Sequence, residues 1–194
     1  DGDLLMSLAL ILAPSGEPLT VAEVKQHLRV DADDQNAVIQ RLIGAARRKV
    51  EAETGRALLT QTWEWSADRW PRAGIWIPMA PVASITNVKY VDTTGAMVTW
   101  SSLEWQADLE SPVARIVPAY GYCWPTVREQ LAAVRVCFVA GYGAAAAVPE
   151  DLKAAMLLII GHLYEHREDV ADFQVHQVPR AADYLLAPYR LHTF

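Results

Sequence analysis

The sequence predicts an α+β fold: a small helical bundle of three or more helices, interrupted by a β-rich insertion and followed by an extended C-terminal tail. Three observations carry that expectation. Apolar residues recur at helical spacing over 38–50 and again over 152–163. Between these stretches, from about residue 61 to 139, the apolar spacing falls to two, as half-buried strands require. Residues 171–194 are short on helix length but rich in exposed-type apolar side chains. The boundaries that follow are 1–60 and 141–170 for the bundle, 61–140 for the insertion and 171–194 for a docking tail.

The first helix opens at Thr20, because Thr20-Val21-Ala22-Glu23 has the form of a capping box. It runs to about Val30. Asp31, Asp33 and Asp34 then offer N-cap and first-turn carboxylates to a second helix, where the helix dipole favours negative charge. That helix carries Val38, Ile39, Leu42, Ile43, Ala46 and Val50 on one stripe and stops at Thr54, ahead of Gly55. In the insertion, five to seven strands are expected. Leu103 to Leu109 alternates strictly, Trp63 and Trp65 repeat the pattern, and 88–100 reads as a hairpin turning at Gly95. The segment 141–147 reads as a hinge. Pro149 then starts a third helix, with Leu152, Ala155, Met156, Ile159, Ile160 and Leu163 on one face.

Composition narrows the function. The chain has 194 residues, 52% hydrophobic and 21% charged, so it has the means to bury a core. A net charge of −6 argues against a phosphate-wrapping surface. The run from Leu4 to Leu12 is far short of the ~20 residues that cross a bilayer, and no Lys or Arg precedes it as in a secretory signal. A cytosolic protein without membrane contact is the expectation. Cys123 and Cys137 form no C-x-x-C pair and read as reduced thiols.

Candidate chemistry is sparse. His162-Leu163-Tyr164-Glu165-His166 fits the H-x-x-E-H pattern, in which two helical imidazoles hold zinc and the glutamate acts as base. A zinc hydrolase is therefore the alternative reading. Against it, histidines near a helix C-terminus suit the dipole without any metal, and the acids nearby, Glu168, Asp169, Asp172 and Asp183, read as solvated surface. Arg41, Arg47, Arg48, Lys49 and Arg56 make the second helix locally basic, and of these Arg41, Arg47, Arg48 and Lys49 are candidates for contact with a neighbouring subunit. Trp63, Trp65, Trp100 and Trp105 read as sheet core.

Several of these segments together resemble a known family. Leu19-Thr20-Val21-Ala22-Glu23-Val24-Lys25-Gln26-His27-Leu28-Arg29-Val30-Asp31, the helix from Ile39 to Arg56, Val148-Pro149-Glu150-Asp151-Leu152, Gly161-His162-Leu163-Tyr164-Glu165-His166-Arg167 and Leu185-Leu186-Ala187-Pro188-Tyr189-Arg190 are similar to the phage head-to-tail connector (adaptor) family. Its members occur in tailed phages, prophages and phage-like gene transfer agents. The resemblance implies a non-enzymatic ring subunit, usually one of twelve, assembled in the bacterial cytoplasm and seated beneath the portal protein of a DNA-filled capsid. Such a ring receives a downstream stopper, neck or tail protein and passes DNA through its channel without specific binding. The resemblance further implies that Tyr184, Leu185, Leu186, Pro188, Tyr189, Arg190, Leu191 and Phe194 reach the portal. No catalytic residue, cofactor or metal is expected, since the family carries the Gly-His-Leu-Tyr-Glu helix as structure.

Overall fold

The computed structural model describes residues 6–166 and 180–191. They fall into two compact units, a helical one built from 15–59, 142–166 and 180–191, and a β unit built from 6–14 and 60–141. The fold class is α+β, as the two spacings require.

In chain order the elements begin with β1 (Met6–Leu12), α1 (Val21–Leu28) and α2 (Asn36–Thr54). Helix α1 opens on the expected capping box: Thr20 Oγ1 accepts from Glu23 N at 3.2 Å, and Thr20 N donates to Glu23 Oε2 at 2.6 Å. Its end is a left-handed Arg29, one residue short of the expected Val30. Helix α2 departs from expectation at its start. Gln35 is the N-cap, no side chain caps it, and no acid lies in its first turn. Asp33 is drawn away by the Lys25 ammonium at 2.8 Å, an ion pair that ties the two helices' connection together.

Along α2, Ile39, Ile43, Ala46 and Val50 are fully buried, which is the 3.6-residue stripe converted into packing. Helix α3 (Glu150–Glu165) presents Leu152, Ala155, Met156, Ile159 and Ile160 to the same core, while Leu163 turns outward. Pro149 stands one residue earlier than expected, at the N-cap. The final helix, α4 (Arg180–Leu186), is followed by a 3-10 turn at Ala187–Tyr189. Here the expected extended tail is corrected. Ala182 and Leu186, four residues apart and thus on one helical face, are both fully buried in the bundle core. Residues 171–179 and 192–194 of that expected tail, and Glu168, Asp169 and Asp172, lie outside the described residues.

The β unit holds β2 (Gln61–Ala67), β3 (Ile75–Trp76), β4 (Val82–Val91), β5 (Met97–Thr99), β6 (Trp105–Asp108), β7 (Arg115–Pro118) and β8 (Val134–Ala140). One sheet has the order β1-β2-β8-β4-β5 and a second the order β3-β7-β6, with every pair antiparallel. Strand β8 shows why period two works: Val134, Val136, Phe138 and Ala140 are buried, and the residues between them are half-buried. Trp65 pairs with Val136 and Trp63 with Phe138, so aromatic and branched side chains share one face. The hairpin between β4 and β5 turns at Gly95 with φ 94°, and Asp92 Oδ1 accepts from the backbone N–H of Thr94 and Ala96. Leu103 is corrected. It begins no strand but sits in a turn with 82% of its surface exposed, and β6 starts only at Trp105. Strand β1 is the larger surprise, because its sequence, apolar but for Ser7, has no alternation of apolar and polar residues to reveal it.

Among the described residues, no helix is long and apolar enough to cross a membrane.

Candidate assembly surfaces

The closing segment is clasped by the end of α2. Gly55, in the left-handed region at φ 68°, ends that helix, and the space a side chain would take there is filled by Leu191, whose Cδ1 lies 3.1 Å from the position of such a Cβ. Leu191 N donates to Thr54 O at 3.0 Å, and Arg56 Nε donates to Tyr189 O at 2.6 Å. Tyr189 Oη donates to Asp151 on α3 at 3.2 Å, and burial together with that carboxylate raises the phenol above its ordinary pKa. Arg190 lies 3.1 Å from Asp183 and 3.6 Å from Glu53.

Of the residues expected to reach a portal, this geometry divides the set. Leu186 is in the core, Leu185, Tyr189 and Leu191 are half-buried, and Pro188 and Arg190 are exposed. Tyr184 is the most open of the aromatic ones, at 78% exposure. Phe194 lies outside the described residues.

The basic stripe of α2 divides in the same way. Arg47 is buried between two acids: its Nε donates to Glu17 at 2.8 Å and its Nη1 to Glu51 at 2.8 Å. Burial alone would weaken the Arg47 charge, but the Glu17 hydrogen bond and the two carboxylates outweigh it and raise the guanidinium pKa further. Glu51 in turn accepts from Leu58 N at 3.0 Å, so the triad also pins the chain as it leaves α2. Gly44 makes room for this, because Glu17 Oε1 lies 3.3 Å from where its Cβ would stand. Lys49 pairs with Glu53 at 2.7 Å, one turn on. Arg41 and Arg48 are exposed and face outward.

His162 and His166 do stand together, with ring centroids 4.5 Å apart, at the end of α3. The backbone carbonyl of His162 lies 3.0 Å from His166 Nδ1, the helix-end contact that histidine makes without a metal. Among the described residues, no group of three His, Cys, Asp or Glu side chains is placed to hold a metal ion.

Two features had no clear mark in the sequence. Trp70, Trp100, Trp124 and Tyr90 form an aromatic cluster, with Trp70 and Trp124 stacked at 4.7 Å between centroids. Trp70 Nε1 donates to Pro125 O at 2.8 Å and Trp100 Nε1 to Glu104 at 2.7 Å, so this cluster braces the long loop before β8. The other feature is the outer edge of β1, whose side chains are almost all exposed.

Residues 18–92 match the family described as phage gp6-like head-tail connector protein. A chain in the structure titled "Virion of native gene transfer agent (GTA) particle" is 26% identical, with 96% of each chain covered and a TM-score of 0.79. A chain in "Neck of empty GTA particle computed with C6 symmetry" is 28% identical, with 97% of each covered and a TM-score of 0.79. One in "Neck of native GTA particle computed with C12 symmetry" is 28% identical over 97% of each, with a TM-score of 0.75. No curated protein matches the sequence. Residues 18–92, from α1 through β4, thus resemble the phage head-to-tail connector family, and nearly the whole fold is shared with chains of gene transfer agent particles.

Proposed function

We propose that this chain is a structural, non-catalytic subunit of a ring at the head-tail junction of a phage-like particle, seated below the portal and joining the capsid to a downstream stopper, neck or tail protein. The observation that carries this reading is the near full-length likeness to chains of gene transfer agent necks treated with C6 and C12 symmetry, which supports a ring of twelve. The acidic balance of −6 suits a ring through which DNA passes without being held. No cofactor is required.

In this reading the portal meets the outward side of the closing segment, Tyr184, Pro188 and Arg190, with Leu185, Tyr189 and Leu191 at its margin and Phe194 beyond. Leu186 supports that surface from the core. Arg41, Arg48 and Lys49 are available to an acidic face of the adjacent copy, and Arg47 holds their helix in place through Glu17 and Glu51. The test is genetic and visual. Particle-forming cells that lack the chain are expected to accumulate DNA-filled heads and separate tails, and re-supplying the chain restores joined particles; normally joined particles in its absence would refute the assignment.

A further inference from the structure

We propose that β1 is an assembly strand covered by a second copy of this chain, so that adjacent subunits in the ring are joined along the outer edge of the five-stranded sheet. This rests on the ring reading above.

Strand β1 is the terminal member of its sheet and, among the described residues, pairs with β2 alone. Its outer N–H and C=O groups therefore face away from the ladder. An exposed edge of this kind is normally blunted by charge, proline or brevity. Here the sequence is Met6-Ser7-Leu8-Ala9-Leu10-Ile11-Leu12, seven residues with no charge and no proline. The only interruption is a register shift between Leu10 and Leu12, at its far end. Both faces are open as well as the edge: Met6 is 61% exposed, Ile11 58% and Leu12 65%. Solvent is a poor partner for such a strand, and strand addition satisfies its edge and covers its side chains at once.

Charge and symmetry select the occupant. Each copy carries −6, so a contact between copies costs least along an uncharged seam, and β1 is such a seam. DNA is unsuited to it for the converse reason, because β1 offers phosphate no cation. A cyclic ring also needs two different surfaces on every subunit, one for each neighbour. The five-stranded sheet has two distinct edges, β1 and β5. Permanent contacts between identical chains are, moreover, the more apolar class of interface.

The experiment places a benzophenone amino acid at Ile11 in the full chain, expressed in cells that make the particles, and irradiates purified particles. The expected product is an adduct of two copies of this chain, identified by mass spectrometry, that is missing when the same probe stands at exposed Thr93. An adduct with the portal or any other particle protein would overturn the proposal. So would the absence of any adduct in particles that contain the chain. Particles that lack the chain altogether would instead contradict the proposed function itself, so the two failures are separate.

Discussion

Arg47 shows how much a single side chain can hide from sequence reasoning. Its charge and its place among Arg41, Arg48 and Lys49 read as surface, but the partner that matters, Glu17, lies thirty positions earlier and beside a helical glycine that admits it. Removing one member of a buried ion group strands the others, so Arg47→Ala is expected to cost about 3–5 kcal/mol in urea unfolding. Arg41→Ala, at an exposed site, should change stability by no more than about 0.5 kcal/mol. The capping box, by contrast, was legible because all of its determinants lie within four residues. Thr20→Ala should cost about 1 kcal/mol near neutral pH. The Glu23 carboxyl is held below its ordinary pKa by its bonds to the Thr20 side chain and backbone. Its contribution is therefore complete above about pH 4.3 and is lost as pH falls through the lowered value. The stability gap between wild type and Thr20→Ala, followed by unfolding at stepped pH, should narrow in that acidic window.

At the scale of elements, periodicity revealed what it can encode. Helices α2 and α3 and strands β2 and β8 bury one face each, and the change of apolar period near residues 61 and 139 marked the start of β2 and the end of β8 to within a few residues. Of the elements that escaped, two are instructive. Strand β1 has apolar residues on both faces, so nothing alternates. Helix α4 has only seven residues, too few for a moment to stand out, and its helicity depends on Ala182 and Leu186 finding the core. That burial separates two roles within the closing segment. Leu186→Ala is expected to destabilise the chain by about 2–5 kcal/mol in thermal or urea melts. Tyr184→Ala should leave the melt within about 0.5 kcal/mol of wild type. It should nevertheless weaken binding to the portal in pull-down or calorimetry, and unchanged affinity would remove Tyr184 from that surface. Deleting the whole of 184–191 cannot make this distinction, since it removes core and surface together.

At the scale of the molecule, the connector reading rested on segments of the helical unit, from Leu19 to Arg56 and from Val148 to Arg190, and the family match covers the first of them and runs on to residue 92. The β unit was legible as strands but not as surfaces. Its open edge and its aromatic cluster arise from pairings between distant segments, such as Trp70 with Trp124, which no local spacing records. The histidine pair on α3 is the converse case: a five-residue motif for zinc is present, and in the structure its two rings stand together with His166 Nδ1 at the His162 carbonyl, a helix-end contact. The central claim is that the chain forms a ring at the neck, and electron cryomicroscopy of purified particles tests it most directly. The account predicts a ring of density below the portal into which the helical and β units each fit once per subunit, with β1 against the adjacent copy. A neck whose density is filled by other proteins, with this chain elsewhere or absent, would contradict it.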